Sequence, residues 1–178
     1  MYKRQEVANS VTLDDPTIEE LTEALNIYDS VTVTNGSKTN TLSFSNDLPF
    51  TVPDGKELIL RSGAIQVDGS NGFTVDGAMT AEAGTKLNGS GTLVNNGTLD
   101  LMGVVATCGL CNNGELTMKD TSVTVASGYA ITNYASTATI QGASTIRSND
   151  SDAIYNQKGA VLHAVSYTHL TLPTICSV

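Results

Sequence analysis

Tryptophan is absent from this chain of 178 residues, and aromatic and charged residues make up only 5% and 15% of it. So few charged residues exclude a helical bundle, which needs more Glu and Lys. Basic residues are scarce too, since nine Lys and Arg stand against 18 Asp and Glu and the net charge is −9. We therefore expect neither a nucleic acid nor an anionic membrane as a partner. No apolar run approaches the roughly 20 residues of a membrane span.

The abundant residues are those of short strands and tight turns. Sixteen glycines stand among many Thr, Asn, Ser and Val. From Val31 onward apolar and polar residues alternate with period two, and Asn-Gly or Asp-Gly pairs separate the alternating segments. These features predict an all-β chain of very short strands joined by tight turns.

Both ends of the chain are expected to be foreign to the fold. Residues 1–5 can be encoded by GTG TAT AAG AGA CAG, which resembles the mosaic end of a transposase-based DNA library. Residues 165–174 can be encoded by the opposite strand of the same element running into a sequencing adapter. We therefore predict that residues 1–5 and 165–178 derive from an adapter and that the native chain is truncated at its C-terminal end.

The native part divides into two predicted regions. Residues 6–30 contain one helical pattern, in which Thr17 and Glu20 have capping-box spacing and Ile18, Leu21 and Leu25 form an apolar stripe. We predict a capping helix there, which would cover the first exposed β-edge. Residues 31–164 are predicted to form the strands.

An irregular repeat overlies these strands. The segment 93–101 resembles 110–118, and two looser copies follow. A repeat of this length with several short strands is typical of a coil of parallel β-rungs, in which each rung stacks on the next. The repeat predicts two inward columns, one of Leu93, Leu110, Ile131 and Ile154 and the other of Leu99, Leu116, Ile140 and Leu162.

The chain also resembles known families. The segments 17–25 and 50–60 are similar to the start and early rungs of pectate-lyase-like right-handed β-helices. The Asn-Asn-Gly repeats resemble the β-helix segments of large bacterial cell-surface and adhesin-like proteins. The resemblance implies an all-β, right-handed parallel β-helix (solenoid) with a short N-terminal capping helix, located outside the cell. It does not fix the function, because this fold carries lyases, hydrolases, phage tailspikes and inert stalks.

Four asparagines occupy equivalent positions of the repeat: Asn95, Asn112, Asn133 and Asn156. Their amides could stack into an internal ladder of hydrogen bonds along the coil axis. Alternatively, Asn is present because it tolerates a left-handed turn conformation. Both interpretations are structural, and neither is catalytic.

Cys108 and Cys111 form the one CxxC pair. A local disulfide is one interpretation in an oxidising exterior, and small core residues are the other. A closed zinc site needs four ligands, and a redox motif usually lies beside a βαβ unit, so neither is expected.

Asp150 and Asp152 lie in a polar turn with Asn149. Their oxygens could bind Ca²⁺, although the segment lacks the Gly-rich periodicity of calcium-binding β-rolls and a solvated polar turn is the favoured interpretation. If Asp120 joined them, with Lys119 or Arg147 alongside, the group would resemble the acid cluster of a polysaccharide lyase. Otherwise we expect neither a metal nor another cofactor.

We therefore expect a non-catalytic structural or adhesive segment of a secreted bacterial surface protein, with no catalytic residue of its own. The expected partners are host or cell-wall glycans or proteins, and further β-helix rungs of the same chain. The alternative is a fragment of a carbohydrate-active β-helix enzyme, either a lyase or a hydrolase, or of a tailspike-like fibre, whose catalytic rungs lie elsewhere.

Overall fold

The chain forms a parallel β-solenoid of about five turns. The computed structural model describes residues 50–61, 63–67 and 73–165, apart from the side chain of Gln66, and the backbone of strands 6–13, 18–21, 26–35, 41–44, 169–170 and 176–177. This described part contains no helix, and therefore none that could cross a membrane.

The strands are short, and each lies parallel to its neighbours in space. In chain order they are β1 (Glu6–Leu13), β2 (Ile18–Leu21), β3 (Asn26–Asn35), β4 (Thr41–Phe44), β5 (Phe50–Val52), β6 (Glu57–Leu60), β7 (Gly63–Gln66), β8 (Phe73–Val75), β9 (Ala78–Ala81), β10 (Thr85–Asn88), β11 (Thr92–Asn95), β12 (Thr98–Met102), β13 (Val105–Ala106), β14 (Gly109–Asn112), β15 (Glu115–Lys119), β16 (Ser122–Val125), β17 (Ile131–Asn133), β18 (Thr137–Gln141), β19 (Thr145–Ser148), β20 (Ile154–Asn156), β21 (Val161–Val165), β22 (His169–Leu170) and β23 (Cys176–Ser177).

From β5 onward each turn contributes three successive strands, which line up with those of the next turn on three faces. Face one contains β5, β8, β11, β14, β17 and β20, face two contains β6, β9, β12, β15, β18 and β21, and face three contains β7, β10, β13, β16 and β19. The first corner joins face one to face two, the second joins face two to face three, and the third leads to the next turn. The long strand β3 links faces one and two into a single sheet, because it pairs with both β5 and β6.

The core is a set of inward columns, as the alternating pattern predicted. Leu93, Leu110, Ile131 and Ile154 pair in register and are buried, so the first predicted column is confirmed. Burying each of these side chains stabilises the fold by about 2 kcal/mol. No single turn could enclose them, because each side chain is covered by its equivalents above and below.

The second predicted column is correct at Leu99, Leu116 and Leu162 but wrong at Ile140. Ala138 pairs with both Leu116 and Leu162, whereas Ile140 pairs with Met118. The first corner after β17 holds one residue more than the corner after β14. Both Ala138 and Ile140 point inward on β18. The prediction placed the larger of these two side chains in the column, whereas the smaller one occupies it.

The predicted N-terminal helix is wrong where the structure describes it. Ile18–Leu21 is the strand β2, which pairs in parallel with β4. Thr17 and residues 22–25 lie outside the described residues. A helix of two or three turns is marginal by itself, and pairing with the next turn satisfies the same backbone groups in a ladder.

The terminal segments stay a prediction. Residues 1–5 lie outside the described residues, whereas the backbones of β22 and β23 pair with β19 and β20. These pairings involve two residues each and do not identify the origin of the tail, since any extended backbone can add to an open parallel edge.

Candidate functional site

The four predicted asparagines meet inside the first corner. Asn95 Nδ2 donates to Asn112 Oδ1 at 2.7 Å, Asn112 Nδ2 to Asn133 Oδ1 at 2.8 Å, and Asn133 Nδ2 to Asn156 Oδ1 at 2.8 Å. Successive partners are 17, 21 and 23 residues apart, so the bonds hold turns of unequal length in register. We call these four residues the inner ladder.

The inner ladder also satisfies backbone carbonyls at this corner. Asn112 Nδ2 lies 3.1 Å from Thr137 O, and Asn133 Nδ2 lies 3.1 Å from Val161 O. Each of these two amides therefore connects its own turn to two points of the next. Asn95 is the first residue of the ladder, and its equivalent in the preceding turn is Val75, which has no polar side chain. Asn95 Oδ1 is therefore buried without a hydrogen-bond partner among the described residues.

A second row of polar side chains runs outside the same corner. Asn113 Nδ2 donates to Asn96 Oδ1 at 2.9 Å, and Asn96 Nδ2 donates to Asp76 Oδ1 at 2.8 Å. We call Asp76, Asn96 and Asn113 the outer ladder. Asn96 and Asn113 are exposed, so water competes for the same groups.

A column of glycines follows the two ladders at the same corner. A Cβ on Gly97 would overlap the carbonyl oxygen of Gly77, and a Cβ on Gly114 would overlap that of Gly97. The Asn96-Gly97 and Asn113-Gly114 pairs are therefore explained by the close approach of successive turns, which only glycine permits.

Cys108 and Cys111 lie on opposite sides of the wall that the strands form around the core, and both are free thiols. Cys108 points into the core, whereas Cys111 is half-buried on the outer side of β14. This arrangement agrees with the interpretation of Cys108 as a small core residue, and the local disulfide stays a prediction. Burial raises the pKa of the Cys108 thiol from 9.0 to about 12 against the effect of a backbone hydrogen bond, and partial burial also raises the pKa of Cys111.

Two of the candidate aspartates accept hydrogen bonds from backbone N–H groups at two different corners. Asp120 has a φ of 52° at the second corner, and its Oδ1 accepts a hydrogen bond from the Ala143 N–H at 2.8 Å. Asp150, in the loop that follows Asn149 at the third corner, accepts from the Gly128 N–H at 2.9 Å. Asp152 is half-buried in the same loop.

These acids do not gather into a cluster in the described part of the chain. It contains no group of three or more His, Cys, Asp or Glu side chains that could hold a metal ion. Lys119 and Arg147 are exposed on faces two and three. Ca²⁺ binding at Asp150 and Asp152 stays a prediction.

A groove of about 440 Å³ opens at the third corner. The loop after β13 has two residues, whereas the loop after β16 has five, from Ala126 to Ala130. The longer loop therefore overhangs the shorter one. The Gly128–Asp150 hydrogen bond ties the longer loop to the next turn, and Thr107 Oγ1 accepts from the Gly89 N–H at 3.0 Å on the opposite side of the groove.

The described groove lining is uncharged and mixes hydrogen-bonding groups with apolar side chains. It consists of Gly89, Ser90, Gly91, Thr92, Thr107, Gly109, Leu110, Thr124, Val125, Ala126, Ser127, Gly128, Tyr129, Thr132 and Asn149. Hydroxyl, amide and backbone groups can both donate and accept hydrogen bonds. None of these residues carries a charge.

Three tyrosines extend from the groove rim across face one. The ring centroids of Tyr129 and Tyr155 are 5.3 Å apart, and those of Tyr155 and Tyr134 are 6.3 Å apart. Tyr129 and Tyr134 are each 41% exposed. We call these three residues the tyrosine row. Thr132 pairs with Tyr155 on the neighbouring strand and also lines the groove, so groove and row form one surface.

Sequence analysis did not find this surface. Its signals were the positions of Tyr134 and Tyr155, which directly follow and directly precede the equivalent Asn133 and Asn156, and the lengthening of the repeat after Asn112. The contact with Tyr129 depends on the path of the five-residue loop, which the repeat does not encode.

The comparisons with known proteins assign no family. The chain matches no protein-family model, no curated protein and no solved structure.

Proposed function

We propose that this chain is a non-catalytic structural or adhesive segment of a secreted bacterial surface protein. The observation that carries the proposal is the axial continuity of the coil. Strand pairing on three faces bonds each turn to the next. From Asn95 to Asn156 the inner ladder adds a bond between successive turns at one corner. Such a coil is stiff along its axis and holds surface side chains of successive turns in fixed positions.

The tyrosine row and the groove supply the adhesive surface of this proposal. Exposed aromatic side chains that lie beside an uncharged concavity with hydrogen-bonding groups are typical of binding surfaces, because the rings contribute apolar area while their hydroxyl groups stay hydrated. The partners proposed for this surface are glycans or proteins outside the cell.

The test measures retention and turnover on the same samples. Beads that carry the full chain are applied to surfaces coated with bacterial cell wall or with a mucin-type glycoprotein. We expect retention that falls in Tyr129→Ala and persists in Val105→Ala, which removes an exposed apolar side chain from face three.

Turnover is measured by incubating the chain with Ca²⁺ and a panel of neutral and uronic-acid polysaccharides. We expect no release of reducing or unsaturated ends. Release that disappears in Asp150→Ala or Asp152→Ala would overturn the non-catalytic proposal, because it would assign acid or metal-binding chemistry to those carboxylates.

A further inference from the structure

The tyrosine row and the groove together constrain the chemistry of a ligand. The row offers apolar ring faces with hydroxyl groups at their edges, and the groove offers hydrogen-bonding groups on both of its sides. A pyranose has the matching pattern, since its C–H groups form apolar faces and its hydroxyls both donate and accept at the rim.

The charges of the site and of the chain favour a neutral ligand. The described groove lining contains no Lys, Arg or His that could neutralise a carboxylate or sulfate. Placing an anion against an uncharged wall would leave the charge poorly solvated. The net charge of −9 also repels anionic polymers at long range. A cationic ligand would likewise lack a carboxylate in the described lining.

The site is built before a ligand arrives. Asp150 holds the overhanging loop through the Gly128 N–H, and Thr107 fixes the opposite side through Gly89. Tyr155 lies between the other two rings, with Thr132 beside it on face one. Binding would therefore require little ordering of the protein, which favours affinity for a ligand of modest size.

We infer that the groove and the tyrosine row form a binding site for a neutral oligosaccharide, whose sugar rings pack on Tyr129 and Tyr155 and whose hydroxyls bond to the groove. This inference rests on the proposed adhesive function and names the ligand class of that surface. It excludes uronic-acid chains as the preferred ligand.

The experiment titrates the full chain by calorimetry with cellohexaose, mannohexaose, hexagalacturonate and decaproline. At least one neutral hexasaccharide should bind, and it should bind at least about tenfold more tightly than hexagalacturonate. Tyr155→Ala should weaken binding about tenfold or more, which corresponds to the loss of one aromatic contact. Tyr155→Phe should stay within about threefold of the parent because the ring face is kept.

Two controls separate binding from folding. Val105→Ala should bind like the parent chain, and the thermal unfolding of every variant is followed so that a loss of binding is interpreted only in folded protein. Tyr129→Ala provides a second test at an exposed position, where the substitution leaves the core intact.

Several outcomes would overturn the inference: preference for hexagalacturonate, binding of decaproline with no binding of either neutral hexasaccharide, no binding of any probe, or saccharide binding that Tyr155→Ala and Tyr129→Ala leave unchanged. Retention on cell-wall or mucin surfaces without hexasaccharide binding would remove this inference alone. Release of sugar products would remove the proposed non-catalytic function whichever sugar binds.

Discussion

Two ladders of polar side chains run along the same corner, one inside the coil and one outside. The inner ladder is enclosed, with Asn95 and Asn112 almost without solvent exposure, whereas Asn96 and Asn113 of the outer ladder are exposed. The hydrogen bonds have nearly the same length, 2.7 to 2.8 Å inside and 2.8 to 2.9 Å outside.

The length of a hydrogen bond therefore does not determine how much that bond contributes to the stability of the fold. Outside, a lost partner is replaced by water, so the net contribution of each bond is small. Inside, a lost partner leaves a buried amide or carbonyl unsatisfied, which costs about 1–3 kcal/mol for each group. The inner ladder should therefore determine register and stability, and the outer ladder should contribute little to either.

The largest effect is expected from the glycine column that follows the ladders at this corner. In Gly97→Ala the new Cβ would overlap backbone oxygens of Gly77 and Asp76, which cannot rotate away. The two turns must separate, so both ladders are disturbed at once and unfolding in urea should become easier by about 3 kcal/mol. Gly109→Ala is the matched control, because the nearest atom to its Cβ is 3.4 Å away. Equal losses in the two variants would contradict the explanation.

The second test removes one member of each ladder. Asn112→Ala deprives Asn95 Nδ2 of an acceptor and Asn133 Oδ1 of a donor inside the coil, and it should lower the free energy of unfolding by about 2 kcal/mol. Asn113→Ala removes an exposed bond and should change that free energy by less than about 0.5 kcal/mol. Chemical denaturation of both variants measures the contrast. The comparison fails if Asn113→Ala is the more damaging substitution.

A third test varies the pH. Cys108 lies inside the coil and Cys111 on its outer side, so the two thiols differ in burial as the two ladders do. The pKa of Cys108 is raised to about 12 by burial, so the unfolded chain loses this proton first as the pH rises. The folded state therefore keeps its full stability below about pH 9 and loses it progressively between pH 9 and 12, by about 1 kcal/mol per pH unit.

Cys108→Ala should remove this part of the pH dependence, and Cys111→Ala should change it less because Cys111 is only partly buried. Urea unfolding at pH 7 and pH 10 compares the variants with the parent chain. Identical pH dependence in Cys108→Ala and the parent would show that the Cys108 thiol does not contribute. Peptide-resolved alkylation of the native chain should modify Cys111 before Cys108, since the thiolate is the reactive form.

The smallest effect is expected at the start of the inner ladder. Val75→Thr places a hydroxyl next to the unpartnered Asn95 Oδ1 with little change in side-chain volume. The new hydrogen bond should offset most of the penalty of burying a hydroxyl, so this variant should be about 1 kcal/mol more stable than Val52→Thr, one turn further from the ladder. A thermal melt of the two variants decides the point. A lower melting temperature for Val75→Thr would show that the hydroxyl does not reach the amide.

The sequence by itself determined the architecture. The alternation from Val31 onward, the recurring Asn-Gly pairs and the repeated Leu-x-Asn segments predict a coil of parallel strands, because side chains alternate across a strand and only stacked turns bury such short apolar segments. The same repeat placed Asn95, Asn112, Asn133 and Asn156 at equivalent positions. It could not choose between a ladder and a set of left-handed turns, since both use the same residue.

Only the tertiary structure decided the rest. Pairing with β4 made Ile18–Leu21 a strand although its local pattern favours a helix, since neighbouring turns offer backbone partners that the sequence pattern does not show. Strand pairing aligned Ala138 rather than the larger Ile140 with Leu116, because the corner before β18 holds three residues. The overhanging loop brought Tyr129 to Tyr155 and opened the groove. Loop paths depend on contacts between turns, and the sequence of a single turn does not contain those contacts.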